Sequence, residues 1–107
     1  MHYAYMGQEF AKRLKEAREL RGLSPKEVAE RRRIAYSTYK NHENGRGGER
    51  DALKYAELFR VNYLWMARGV GRPTDKPIQQ KFDALPTEKQ QQVLDYMDYV
   101  EKSGRKA

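Results

Sequence analysis

The sequence predicts an all-α chain, in which five short helices build one small domain and a helical tail follows. Three observations carry that expectation. Apolar residues recur at helical spacing in short blocks. Sustained apolar/polar alternation of the kind that marks strands is absent. Between the blocks stand Gly, Pro, Ser and Asn at positions that start and stop helices.

Residues 1–7 read as an N-terminal arm, and the first helix spans about Gln8 to Arg21, with Phe10, Leu14, Ala17 and Leu20 on one face and Gly22 as its stop. Ser24-Pro25-Lys26-Glu27 then combines Ser at the N-cap, Pro at the first helical position and Glu at the third. That start predicts a second helix to about Arg32, burying Val28 and Ala29. A third helix begins near Tyr36 and ends at Asn44-Gly45, where Gly accepts a left-handed backbone. Glu49 to Phe59 reads as the fourth, with Ala52, Tyr55, Ala56 and Phe59 inward. Asn62 caps a fifth, Tyr63 to Arg68, closed by Gly69. The domain is therefore expected over 8–69.

Residues 70–77 hold two prolines and three charges, a composition with little to bury, and read as a linker. The tail, 78–107, is expected to form a short helical turn around Ile78, Phe82 and Leu85. A longer helix follows, capped by Thr87 with Gln90 and apolar at Val93, Leu94, Met97 and Val100. That narrow stripe suits a helix that pairs with another, so Val93, Leu94, Met97 and Val100 are the candidate dimerisation residues. Folding back onto the chain's own core would bury the same stripe, and the two readings stay open.

The charge balance narrows the function. Lys and Arg number 22 against 15 Asp and Glu, a net +7, and a basic face gains from releasing the counterions condensed on phosphates. The excess is local: residues 1–69 carry +6, and Arg31, Arg32, Arg33, Lys40 and Arg46 face Glu43 alone in their stretch. With no cysteine, disulfides, thiolate zinc sites and thiol catalysis are excluded. No apolar run approaches the roughly 20 residues of a membrane span. Converging carboxylates and a positioned catalytic His are missing, so no enzyme, cofactor or metal is expected; His42 reads as a core histidine, with His2 its sole possible histidine partner.

The second and third helices are separated by about three residues, Arg33 to Ala35. Each is too short to persist alone, and such a pair is stable when packed as a helix-turn-helix whose second helix can enter the major groove. Here a resemblance becomes explicit. Leu23-Ser24, Glu27-Val28-Ala29, Ile34, Ser37-Thr38 and Glu43-Asn44-Gly45, followed by Tyr55-Ala56, Val61, Leu64-Trp65-Met66 and Gly69, resemble the Cro and lambda-repressor helix-turn-helix family of the XRE type over residues 8 to 69.

The resemblance implies a lambda-repressor-like five-helix DNA-binding domain. It implies base contacts from Tyr36, Ser37, Lys40 and Asn41, phosphate contacts from Lys26, Asn44 and Arg46, and an internal ion pair between Arg18 and Glu43. Helical geometry agrees in setting 36, 37, 40, 41 and 44 on one face, opposite Tyr39. Four positions depart from the family pattern, among them His42, which takes an apolar position. Pro25 stands where a phosphate-contacting glutamine is common. Arg33 stands where the turn usually has glycine. Arg32 replaces an aliphatic residue, and its stem is expected to be buried while its head reaches water. Among the aromatic residues, Tyr39, Tyr55 and Trp65 read as core and Tyr36 as free to stack.

The function expected is a sequence-specific double-stranded DNA-binding transcriptional regulator, a repressor, acting as a homodimer in the cytoplasm on the nucleoid. The alternative is an antitoxin or other interaction module of the same fold, whose main partner is a protein such as a toxin or co-regulator. Repressor, activator and antitoxin are not separated at this level.

Overall fold

The computed structural model describes the backbone of residues 2–104 and the side chains of residues 7–103. Among these residues every regular element is helical: α1 (His2–Leu20), α2 (Pro25–Arg32), α3 (Tyr36–Glu43), α4 (Ala52–Phe59), α5 (Tyr63–Arg68), α6 (Ile78–Asp83) and α7 (Thr87–Gly104), with a 3-10 turn, Glu49–Asp51, leading into α4. The chain divides into two compact units, Met1–Asp75 and Lys76–Ala107.

In the first unit α1 contributes Phe10, Ala11, Leu14 and Ala17 to the buried core. Around it pack Val28 and Ala29 of α2, Tyr39 of α3, Ala52, Tyr55, Ala56 and Phe59 of α4, and Trp65 and Met66 of α5. Leu20, expected on the inward face, is half exposed. The stripe turns toward Ala11 instead, and the next core-facing register falls on Arg21. The helix also starts at His2 rather than near Gln8, so the expected arm is helical in its backbone; the side chains of residues 1–6, His2 among them, lie outside the described residues. Gly7 lies within this helix at a close approach, since a Cβ there would stand 2.5 Å from the Gly45 carbonyl oxygen.

The ends of α1 to α4 share one device. After α1, Gly22 N donates to Glu19 O and Leu23 N to Arg18 O. After α2, Arg33 N donates to Glu30 O and Ile34 N to Ala29 O; after α3, Gly45 N to His42 O and Arg46 N to Asn41 O; after α4, Arg60 N to Glu57 O and Val61 N to Ala56 O. Each is a Schellman pair closed over a left-handed residue. Glycine takes that conformation after α1 and α3, but arginine takes it after α2 and α4, with φ of 58° at Arg33 and 55° at Arg60. The Ser24 capping box also forms, with Glu27 N donating to Ser24 Oγ at 3.1 Å and Ser24 N to Glu27 Oε1 at 2.9 Å.

Three arginines, Arg13 and Arg18 of α1 and Arg21 just after it, bind carbonyls near helix ends, where backbone acceptors lack intrahelical partners. Arg13 donates to Met66 O and Ala67 O near the end of α5. Arg18 donates to Leu23 O before α2, and Arg21 to Phe59 O and Arg60 O after α4. Much of the basic excess of α1 is therefore engaged inside the domain.

The expected linker splits. Residues through Asp75 belong to the first unit, held by hydrogen bonds rather than apolar burial. Asn62 caps α5 by accepting from Trp65 N at 3.0 Å. It also pins the following segment: its backbone N donates to Pro73 O at 2.8 Å and its side-chain amide to Asp75 O at 3.2 Å. In the second unit, α6 and α7 form a helical hairpin. Gln90, expected to serve a cap with Thr87, donates instead to Phe82 O at 3.0 Å and ties the two helices together.

Candidate nucleic-acid interface

The α3 helix is eight residues long with no side-chain cap at Ala35, so it cannot persist by its own hydrogen bonds. Tertiary contacts hold it. Tyr39 is fully buried and His42 nearly so, and both pack against Tyr55 with ring centroids 5.9 Å apart. Tyr55 is the hub, also meeting Phe59 at 6.1 Å and Phe10 at 6.5 Å.

From α1, Arg18 Nε reaches Glu43 Oε2 at 2.6 Å, with side chains 12% and 6% exposed. The pair is thus largely out of water. Burial works to lower the Arg18 pKa, but hydrogen bonding and the charge of Glu43 outweigh it and the net direction is up. The neighbouring Tyr39 hydroxyl is buried without a hydrogen bond; burial first, then the Glu43 carboxylate, pushes its pKa up.

A second polar cluster braces the other side of Tyr55. His42 Nδ1 lies 2.7 Å from Tyr55 Oη. The Arg32 guanidinium stands 4.7 Å from the Tyr55 ring centroid and pairs with Asp51 at 3.2 Å. This corrects the expectation for Arg32: its head does not reach out to water but docks over an aromatic face, a favourable cation–π placement. Its Nε is nonetheless buried without a partner. Burial pushes the Tyr55 phenol up to about 12 and moves His42 below its ordinary 6.5.

With Tyr39 and His42 inward, the opposite face of α3 is turned out. Tyr36, Ser37 and Asn41 are exposed, and Lys40 is half-buried. Asn44 and Arg46 are exposed where the chain leaves α3, and Lys26 is exposed in the first turn of α2. Gln8 donates to Asn44 O at 3.3 Å, fixing that exit against α1. Gly48 is buried there, and a Cβ on it would come within 3.0 Å of both His42 and Phe10. In the second unit Val93 is half-buried, while Leu94, Met97 and Val100 are about half exposed. Tyr36 is not the sole exposed aromatic residue: Tyr63, Tyr96 and Tyr99 are too, the last two stacked at 6.3 Å.

A family model described as a helix-turn-helix domain matches residues 11–72, more than half of the chain. The chain belongs to that family. It is of the XRE type, and the matched span runs from α1 through α5 into the segment pinned by Asn62. Within the family's architecture, α2 and α3 are the helix-turn-helix pair, joined through Arg33 and Ile34, and the domain is that of a DNA-binding regulator. No curated protein and no solved structure gives a match. Among the described residues no helix is long and apolar enough to cross a membrane.

Proposed function

We propose that this helix-turn-helix protein is a sequence-specific double-stranded DNA-binding repressor that acts as a homodimer, with α3 as the helix in the major groove. The observation that carries this reading is the two-sided character of α3. One side is locked by Tyr39, His42 and the Arg18–Glu43 pair, and the other offers the exposed Tyr36, Ser37 and Asn41 with the half-buried Lys40. A rigidly seated helix of about 12 Å matches a major groove about 12 Å wide.

In this reading Asn41 pairs with an adenine edge, Lys40 donates to guanine, Ser37 reads either, and Tyr36 touches a thymine methyl or stacks. Lys26, Asn44 and Arg46 hold the phosphates, which set register without reading sequence. One such unit covers few base pairs, so two copies are expected on half-sites about 34 Å apart. Occupying a promoter site by such a dimer excludes other proteins from it, hence repression.

Selection of bound duplexes from a random DNA library, with footprinting of the winner, tests the proposal. A two-fold-related site is expected. Asn41→Ala is expected to lose about 1–3 kcal/mol on that site with little change in non-specific binding. Lys26→Ala or Arg46→Ala should weaken all sequences alike and reduce the salt slope by about one unit each. If no sequence is enriched, or Asn41→Ala binds the selected site as tightly as the parent, the assignment of α3 is wrong.

A further inference from the structure

The second unit carries an apolar groove of about 600 Å³, lined by Ile78, Phe82, Leu85, Val93, Leu94 and Met97. Its walls are α6 and the first half of α7, and Gln90 bonded to Phe82 O holds them together. The two helices are unequal. At 1.5 Å per residue, the six residues of α6 reach about 9 Å and the eighteen of α7 about 27 Å. The last turns of α7 therefore run past α6 uncovered, and they carry Tyr96, Tyr99 and Val100 at 66%, 67% and 49% exposure. One hairpin thus holds both an apolar groove and an exposed apolar helix end.

We propose that a second copy of this chain fills the groove, its α7 running antiparallel so that the Val100 end of each copy lies over Ile78 and Phe82 of the other. A two-fold axis near Met97 makes this exchange twice, as an isologous contact requires. The stripe Gln90, Val93, Met97, Val100 contains no charge, and the one charged residue lining the groove, Lys81, is exposed and can keep its ammonium in water while its stem packs. The area also fits. Ile78, Leu85, Leu94, Tyr96, Met97 and Val100 are between a third and two-thirds exposed, which amounts to roughly 600 Å² of mostly apolar surface, at the lower end of the ~600–1,000 Å² each partner contributes to a stable interface. The inference rests on the homodimer proposed above and adds its surface and polarity: the contact is made by α6 and α7 together, head to tail.

The chain has no cysteine, so a disulfide between singly substituted chains can only be intermolecular. Full-length Ile78→Cys and Val100→Cys proteins, one carrying a mass tag, are oxidised separately and as a mixture, without DNA, after circular dichroism shows that each keeps the parent's helicity. The mixed cross-link is expected to exceed either self-cross-link at least tenfold, and the parent is expected to sediment as a dimer at tens of micromolar. Efficient self-cross-linking of Val100→Cys would show parallel pairing and overturn the proposal. So would a dimer that gives no mixed cross-link, which places the contact elsewhere, or a parent that stays monomeric. Half-site binding by α3, measured on the same proteins, is independent: its loss with the mixed cross-link intact sinks the DNA-binding reading and leaves this surface standing.

Discussion

Arg33 and Arg60 each close a helix in a left-handed conformation that costs a residue with a Cβ of order 1 kcal/mol. Among the described residues neither side chain forms an ion pair that would offset this backbone cost. Arg33→Gly and Arg60→Gly are each expected to stabilise the domain by about 0.5–1 kcal/mol, read as a higher urea midpoint at unchanged slope. A loss at either site would mean that the arginine makes up for its strain elsewhere. The Arg18–Glu43 pair behaves oppositely. Removing one partner strands a charge that is nearly dry, so Glu43→Ala is expected to cost roughly 3–5 kcal/mol, while replacing both partners by apolar residues of similar volume recovers much of it. Thermal melts of the parent, the two single variants and the double variant check this; small, additive losses would show that water reaches the pair. His42 sets a pH response. Its burial favours the neutral ring and lowers its folded pKa, with Asp51 and Glu49 opposing and Arg32 and Arg50 reinforcing the shift. The unfolded chain then binds the proton first. Stability is fully present above the ordinary 6.5, falls as pH drops through that value, and stops falling on this account below the folded pKa. Urea melts at about pH 7 and about pH 5 should show a larger acid loss for the parent than for His42→Gln, and equal losses would rule the mechanism out.

At the scale of elements, α2 and α3 are short, and neither is stable alone. Their persistence depends on α1, which supplies Leu14 and Ala17 to the core and Arg18 to Glu43. The α3 helix is thus positioned from behind by α1. The elements after Gly69 divide at Asp75, since Asn62 pins the segment before it through Pro73 and Asp75. A chain ending at Pro77 keeps every hydrogen bond described for the first unit. It is expected to melt cooperatively near the parent's temperature, to sediment as a monomer, and to lose most of its affinity for a two-half-site duplex while keeping half-site binding. A truncated protein that stays dimeric would move the interface to the exposed surface around Tyr63.

For the whole molecule, net charge is a poor guide to the interface until the internal uses of arginine are subtracted. Arg13, Arg18 and Arg21 bind carbonyls at helix ends, and Arg32 lies over Tyr55 against Asp51. Of the five bases between Arg31 and Arg46, Arg32 is therefore spent on the fold. What is left exposed around α3 includes Lys26, Arg33 and Arg46, and the salt dependence of binding should reflect those rather than the full +7 of the chain.

The sequence by itself determined the helices and their order. Periodicity marks α2 to α5 closely, because their starts and stops rest on local chemistry: the Ser24–Glu27 box, Asn62 before α5, Gly45 after α3. The exposed face of α3 was also legible, since helical spacing alone sets 36, 37, 40, 41 and 44 opposite Tyr39. What tertiary structure decided is whatever depends on a neighbour distant in sequence. Residues 1–7 read as an arm, yet α1 starts at His2 and passes through Gly7, where Gly45 stands too close for a Cβ. Arg32 reads as an exposed head on a buried stem, until Tyr55 and Asp51 arrive beneath it. Residues 70–75 read as a linker because their composition has little to bury, but they are fastened by backbone hydrogen bonds, which composition does not report. Local signals specify where a helix begins and ends; which side chains are consumed in holding the helices together is settled when distant residues meet.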